Sequence, residues 1–189
     1  MTTIGLLDLH ERAVFEYELG ESDPTGMPFL EAERLFLATT GQASSGVSKR
    51  ALNWTSKLYH YELFTAENGH TPRENTRNRI SLPPEERRLG EWAGYQRRMQ
   101  DRLTRFQRIR LDISTAFEWA PLDASWQARL AAYRTHVDAT GRQPYFNSAD
   151  PCEFRLATWA ARQLHLMRSG SLPAERLMDF NSVMASTKS

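Results

Sequence analysis

The sequence predicts an all-α fold made of tandem small three-helix bundles. Apolar and aromatic residues recur at helical spacing through most of the 189 residues, and one helical pattern occurs twice at a fixed offset. Alternating apolar and polar runs of useful length, the mark of half-buried strands, do not occur in the sequence. We therefore expect helices throughout.

An internal repeat defines the first helix of each copy. The spacing W-x3-L-x2-Y, followed by G-x2-P, occurs twice with an offset of 72 residues. The first three residues share one helical face, glycine suits a left-handed cap, and proline suits the turn beyond it. The matching residues are Trp54, Leu58, Tyr61, Gly69 and Pro72, and then Trp126, Leu130, Tyr133, Gly141 and Pro144. Each copy is predicted to open with one amphipathic helix that ends at its glycine.

A second pattern, L-x2-W-x3-Q, predicts the next helix of each copy. It occurs as Leu89, Trp92 and Gln96, and again as Leu156, Trp159 and Gln163. On a helix over residues 86–100, we expect Trp92, Tyr95 and Met99 to face inward. The repeated tryptophans are predicted to be core anchors, because a small bundle needs large side chains to bury enough area.

A third apolar segment at helical spacing closes each copy. It contains Leu103, Phe106, Ile109, Leu111 and Ile113 in the first copy, and Leu172, Leu177, Met178 and Phe180 in the second. Residues 120–125 are interpreted as the linker between the copies. The chain is thus divided into two three-helix domains, residues 51–120 and 121–189. An acidic segment of residues 1–50 precedes them, and it is interpreted as a possible degenerate first repeat.

The near-zero net charge of +1 is an average over unlike segments. Residues 1–48 carry two basic and eight acidic side chains, residues 49–110 carry 14 and seven, and residues 111–189 carry eight of each. The basic residues of the middle segment are mostly Arg, whose planar guanidinium fits phosphate oxygens and guanine edges. This asymmetry favours a nucleic-acid partner. The alternative is a solvated face on which each Arg pairs with a nearby acid.

Candidate nucleic-acid contacts follow from the Arg pattern. In small three-helix DNA binders the last helix enters the major groove and the other helices meet phosphates. The candidates in the middle domain are Arg97, Arg98, Arg102, Arg105 and Arg108, and those in the second domain are Arg155, Arg162, Arg168 and Arg176.

The repeated pattern resembles the helicase-associated domain. The likeness covers residues 54–119 and 126–180, and residues 89–98 are the closest match. The second copy departs from it in having Leu164 in place of Arg97. The resemblance implies three-helix units, similar to Myb-type or helix-turn-helix bundles, that bind nucleic acid beside helicases or in stand-alone proteins. Since the sequence contains no helicase motor, such a chain would at most assist one.

No catalytic, metal or cofactor site is predicted. The stretch from Gly41 to Ser48 approaches a phosphate-binding loop, but Val47 replaces its lysine and no strand precedes it. The single Cys152 and five separated histidines indicate neither an internal disulfide nor a local metal site. No apolar run approaches membrane-helix length and no secretion signal is recognised, so we expect a cytoplasmic protein without a membrane partner.

The sequence therefore predicts a non-enzymatic DNA-binding protein with an accessory or regulatory role in DNA transactions. Double-stranded DNA is the expected partner, ahead of single-stranded DNA or RNA, with a helicase or replication protein as a possible protein partner. The alternative is a protein-interaction module whose Arg surface docks on an acidic partner such as a replication enzyme.

Overall fold

A computed structural model of the chain describes residues 3–38, 46–74 and 81–185. These residues are helical with connecting turns and contain no strand, which confirms the all-α class. The helices are α1 (Thr3–Glu18), α2 (Met27–Ala38), α3 (Lys49–Asn68), α4 (Pro84–Arg98), α5 (Arg105–Ile113), α6 (Pro121–Thr140), α7 (Pro151–Arg168) and α8 (Ala174–Ala185), with a 3-10 turn at Gln100–Arg102.

The chain forms two compact units, Met1–Trp119 and Ala120–Ser189, called here the N-terminal and C-terminal units. Helices α1 to α5 belong to the first and α6 to α8 to the second. The predicted linker over residues 120–125 is wrong, because α6 already begins at Pro121. Proline suits the first helical position, where no backbone donor is needed.

The acidic first segment contributes two helices to the N-terminal unit. Helix α1 packs against α5, and α2 packs against α3. Leu9 and Ala13 of α1 and Leu30 of α2 are buried in the same apolar cluster as Leu58 and Trp92. Most acidic side chains of this segment are exposed to solvent, whereas the apolar faces of the same helices are buried in the core. A degenerate first repeat in this segment stays a prediction.

A buried ionic cluster joins four helices of this unit. Arg110 of α5 donates from Nε to Glu33 Oε1 of α2 at 2.6 Å. Its Nη1 and Nη2 donate to the two oxygens of Glu62 of α3, both at 2.8 Å. His10 of α1 lies with Nδ1 3.0 Å from the second Glu33 oxygen, and Ser114 donates to Glu62 at 2.6 Å. The Arg110 side chain is fully buried, so its charge is neutralised entirely within the protein.

The charges of Glu33 and Arg110 are stabilised by their neighbours in this cluster. Burial alone raises the pKa of the Glu33 carboxyl, but the hydrogen bond from His10 and the charge of Arg110 outweigh burial and lower it. Burial opposes the charge of Arg110, yet Glu33 and Glu62 raise its pKa. Glu33 and Arg110 are therefore both charged at neutral pH, and the contacts of the cluster tie α1, α2, α3 and α5 together.

The C-terminal unit has a smaller core made by three helices. Trp126, Leu130 and Tyr133 of α6 pack with Trp159 of α7 and Phe180 of α8. Phe180 meets the Trp159 ring edge to face, with ring centroids 5.8 Å apart. All these side chains are buried, as the repeat predicts for Trp126 and Trp159.

One hydrogen bond is repeated in the cores of both units. The indole Nε1 of Trp54 donates to Gln96 Oε1 at 3.0 Å, and that of Trp126 donates to Gln163 Oε1 at 3.0 Å. Each bond joins the first and second repeat helices and satisfies a buried donor. The two sequence patterns thus meet in one contact, and the prediction that the repeated tryptophans are core anchors is confirmed.

A buried glutamate at the start of each second helix holds the loop before it. Glu86 of α4 accepts the backbone N–H of Arg73 at 3.1 Å and the Arg73 Nε at 2.7 Å. Glu153 of α7 accepts the backbone N–H of Tyr145 at 2.9 Å and also pairs with Arg142. Hydrogen bonding to Arg73 lowers the pKa of Glu86, and hydrogen bonding to Arg142 lowers the pKa of Glu153 to about 2.

The predicted helix stops are confirmed, and one further glycine is explained by packing. Gly69 and Gly141 follow α3 and α6 with φ of 68° and 67°, the left-handed cap conformation. Gly90 lies inside α4, where a Cβ atom would come within 2.5 Å of the carbonyl oxygen of Arg73. The loop backbone therefore approaches this helix more closely than a side chain allows. Ala157 occupies the same repeat position in α7.

Candidate nucleic-acid interface

The predicted Arg contacts fall into two groups in the structure. The first group is exposed, and its side chains have no hydrogen-bond or ion-pair partner among the described residues. It consists of Arg98, Arg102, Arg108, Arg162 and Arg168. The other candidates, Arg97, Arg105, Arg155 and Arg176, make contacts within their own unit.

Arg105 closes the C-terminal end of α1. Its Nη1 donates to the carbonyl oxygens of Tyr17 and Glu21 at 3.0 and 2.7 Å. Its Nη2 donates to the carbonyl oxygen of Glu16 at 2.8 Å. A cation at this end of a helix is favoured by the helix dipole and by the unpaired carbonyl groups. The guanidinium N–H groups therefore donate to backbone carbonyl oxygens of the protein instead of being free to bind phosphate.

Asp23 completes this junction from the other side. Its Oδ2 accepts the backbone N–H of Arg105, the first residue of α5, at 2.9 Å. Burial raises the pKa of Asp23, but hydrogen bonds from Thr25 and from the Arg105 backbone outweigh burial and lower it. The start of α5 is thus fixed on the segment that follows α1.

Arg97 and Arg176 are also held by neighbouring groups. Arg97 pairs with Glu74 and donates from Nε to the carbonyl oxygen of Glu118 at 2.5 Å. Its side chain is only 13% exposed. Arg176 pairs with Asp123, which joins α8 to the first turn of α6. Both residues position structural elements of their units.

Helix α5 offers a narrow outer face. Arg108 and Asp112 are its exposed residues, while Phe106 and Leu111 are buried against the core. Its first turn carries a capping box, in which Thr104 and Gln107 exchange hydrogen bonds between side chain and backbone. Because α5 packs on α1, this helix leaves only Arg108 among its Arg residues exposed for contact with a partner.

A basic groove lies between α3 and α4 of the N-terminal unit. It has a volume of about 800 Å³. Arg50 and Lys57 come from α3, Arg102 comes from the turn after α4, and no carboxylate lines the groove. Trp54 and Trp92 contribute to its floor. The groove thus places the predicted contact Arg102 beside Arg50 and Lys57, which were not among the candidates predicted from the sequence.

Tyr95 corrects the predicted inward face of α4. Its side chain is 51% exposed and lines the same groove, while Trp92 is buried as predicted. Gln96 takes the inward position because the indole of Trp54 needs an acceptor there. Met99 is half-buried at the end of the helix. The exposed tyrosine adds an aromatic surface beside the cations.

A second groove lies between α6 and α7 of the C-terminal unit. It measures about 610 Å³ and also has no carboxylate in its lining. Its cations are Arg129 of α6 and Arg155 and Arg162 of α7. The other lining residues are Ala132, Cys152, Phe154, Leu156, Thr158 and Trp159.

The two grooves overlap at three positions of the repeat, which are Lys57 and Arg129, Trp92 and Trp159, and Tyr95 and Arg162. Lys57 and Arg129 each follow the first-helix tryptophan by three residues, so both units carry a cation at this position. Trp92 and Trp159 correspond in the second helix, and both line their grooves. The cation three residues after each tryptophan is a signal that the repeat alignment contains and that charge counting by segment overlooks.

Comparisons with protein-family models, curated proteins and solved structures find no match. Among the described residues, no group of three or more His, Cys, Asp and Glu side chains is arranged to hold a metal ion. None of the described helices combines the length and the apolar character that crossing a membrane requires. Of the stretch resembling a phosphate-binding loop, Gly41 to Ser45 lie outside the described residues.

Proposed function

We propose that the chain is a non-enzymatic protein that binds double-stranded DNA, in an accessory or regulatory role in processes such as replication or recombination. The observation that carries this proposal is the carboxylate-free groove in each unit, lined by three cations. The resemblance of the repeat to the helicase-associated domain supports the same class of partner.

The N-terminal groove is positively charged, and this charge favours an anionic partner. Arg50, Lys57 and Arg102 line one concave surface without an acid to neutralise them. Like charges held close together repel one another, and a concave wall focuses their field into the groove. A polyanion relieves this repulsion, and DNA phosphates are spaced closely enough to meet several cations at once.

Further exposed Arg residues lie outside the groove. Arg98 and Arg108 lie on α4 and α5 without an ion-pair partner among the described residues, and each can contact a phosphate. In the C-terminal unit Arg168 takes the same role, while Arg162 contributes to the groove itself. Arg97, Arg105 and Arg176 hold the scaffold in this proposal instead of touching DNA.

Two linked units increase the overall affinity. When one unit is bound, the chain connection holds the second at a high effective concentration near the same DNA. The N-terminal unit carries the larger basic surface and supplies most of the attraction in this proposal. The C-terminal groove adds contacts along the duplex.

The test is a fluorescence-anisotropy titration of the full chain against duplex DNA at several salt concentrations. Five or six phosphate contacts give a slope of log K against log salt of about −4.5 to −5.5. The triple variant Arg50→Ala/Lys57→Ala/Arg102→Ala is expected to bind more weakly and to reduce that slope by about 2 to 3, since each lost contact removes about 0.9.

A matched control removes the same number of charges elsewhere. Arg12, Lys49 and Arg134 are exposed and line neither groove. Their triple alanine variant is expected to keep nearly the full salt slope. Equal losses in both triple variants would contradict a contact through the groove. Absence of duplex binding at low salt would overturn the DNA proposal and favour docking on an acidic protein.

A further inference from the structure

The groove between α6 and α7 has a more apolar lining than its N-terminal counterpart. Phe154 and Leu156 of α7 line it together with Ala132 of α6 and Trp159. Phe154 is 47% exposed, so one flat aromatic ring is open to solvent. Such a surface favours a flat ligand ring, because stacking removes both ring faces from water.

The guanidinium groups surround this apolar floor. Arg129 and Arg162 have no ion-pair partner among the described residues, and Arg155 lies with Nη2 3.1 Å from the Cys152 sulfur. Arg binds phosphate through paired N–H groups, which gives it both strength and orientation. Three such groups around one site match a ligand with more than one negative charge.

From this combination we propose that the groove binds a nucleotide, with the base on the Phe154 side of the floor and the phosphates at Arg129, Arg155 and Arg162. A volume of about 610 Å³ lies within the range of small-ligand sites, about 300 to 1,000 Å³. The nucleotide has two possible sources, a free mononucleotide or a unit of single-stranded nucleic acid, and both present the same chemistry.

This inference goes beyond the proposed function, because duplex binding by the basic surfaces requires no pocket for an unstacked base. A paired base lies inside the helix stack and cannot reach an apolar floor without being extruded. Duplex binding uses only the cations of the two grooves, whereas a nucleotide also needs the apolar floor of the C-terminal groove, so the two ideas can fail separately.

The chain supplies its own reporter for this site. Cys152 is the only cysteine in the sequence, it is exposed, and it lines the groove. The experiment measures the rate at which iodoacetamide alkylates Cys152 in the full chain, with dATP, a short oligothymidylate or inorganic pyrophosphate added in turn. Mass spectrometry follows the single modification.

The inference predicts that saturating dATP or oligothymidylate slows alkylation by about fivefold or more, because the bound nucleotide covers the thiol. Protection by dATP identifies a free nucleotide as a sufficient ligand, and protection by the oligonucleotide alone identifies the single strand. Pyrophosphate is expected to protect much less, since it has no ring. Equal protection by pyrophosphate would overturn the role of the base, and no protection by any probe would overturn the site.

A pair of variants on α6 separates the site from general charge effects. Arg129→Ala removes a lining guanidinium, whereas Arg134→Ala removes an exposed one outside the groove. We expect Arg129→Ala to need about tenfold more nucleotide for half-protection, and Arg134→Ala to behave like the parent protein. Equal behaviour of the two variants would contradict the assignment. Duplex anisotropy on the same samples tests the proposed function separately, because the N-terminal unit supplies most of the duplex attraction in that proposal.

Discussion

The two units share one framework but complete it differently. In each unit, the tryptophan of the first repeat helix (α3 or α6) donates a hydrogen bond of 3.0 Å to the glutamine of the second repeat helix (α4 or α7). In each, a phenylalanine then meets the second-helix tryptophan edge to face, Phe117 against Trp92 at 6.3 Å and Phe180 against Trp159 at 5.8 Å. The shared residues therefore specify a helix pair and the aromatic cluster on it, whereas the other faces of each core are specified by residues outside the repeat.

The difference lies in what covers the rest of each core. The N-terminal unit adds α1 and α2 and buries Arg110 between Glu33 and Glu62. In the described part of the C-terminal unit, α8 covers the helix pair with apolar residues such as Phe180 and Val183. A buried charge needs its partners in place before it is stable, so the N-terminal unit depends on its first two helices.

Removing the buried charge of Arg110 is expected to destabilise the N-terminal unit more than any other substitution proposed below. Arg110→Ala leaves two carboxylates buried without their cation, which costs about 3 to 5 kcal/mol of unfolding free energy. Urea unfolding followed by the indole N–H resonances separates the units, because Trp54 reports one and Trp126 the other. We expect the Trp54 transition to move to lower urea concentration and the Trp126 transition to stay.

The control for this variant lies on the same helix. Arg108 is exposed on α5, so Arg108→Ala is expected to change the unfolding free energy by less than about 0.5 kcal/mol. Similar losses in the two variants would show that burial of the Arg110 charge is not what holds the N-terminal unit together.

The sequence predicts the framework well because its residues repeat. The tryptophans, the capping glycines and the helix pairs follow from spacing alone. A glutamate also repeats in the sequence, because Glu86 and Glu153 each lie three residues before the leucine of the second pattern. A search for apolar residues at helical spacing does not detect this repeat, since glutamate is charged. Their role becomes visible only when the loop backbone is seen to donate to them.

The remaining features depend on contacts between distant segments. Arg110 looks like one more member of a basic run, and only the arrival of Glu33 from α2 makes it a core residue. Arg105 likewise belongs to a basic helix in sequence but binds carbonyl groups at the end of α1. Charge counting treats all these Arg residues alike, because it contains no information about which side of a helix meets another segment.

Removing the glutamine acceptor in each unit shows whether the repeated Trp–Gln hydrogen bond contributes the same free energy of unfolding to both units. Gln96→Leu and Gln163→Leu each leave a buried indole N–H without an acceptor, which costs about 1 to 3 kcal/mol. We expect similar losses, each confined to the unit that carries the variant, in the same resonance-resolved urea experiment.

A double-mutant cycle shows whether the hydrogen bond is the cause. Once Trp54→Phe has removed the donor, Gln96→Leu is expected to cost much less, and the same holds for Trp126→Phe with Gln163→Leu. Additive losses in either unit would mean that the glutamine acts through packing, and the equivalence of the two frameworks would then rest on shape alone.

Glu153 is expected to make the stability of the C-terminal unit depend on pH. Hydrogen bonding to Arg142 lowers the folded-state pKa of Glu153 to about 2, below the value of about 4.3 in an unfolded chain. The unfolded state therefore binds a proton first as the pH falls, and the contribution of Glu153 to stability is complete above about pH 5 and is lost towards pH 2.

Glu153→Gln removes the group that titrates in this window. We expect its urea midpoint for the Trp126 resonance to vary less between pH 5 and pH 2 than that of the parent protein, because the glutamine binds no proton in either state. Glu175→Gln, at an exposed position in the first turn of α8, should leave the parent slope nearly intact. If the Glu153 variant keeps the full slope, other carboxylates govern acid unfolding, and the repeated glutamate stabilises its loop without making the unit sensitive to acid.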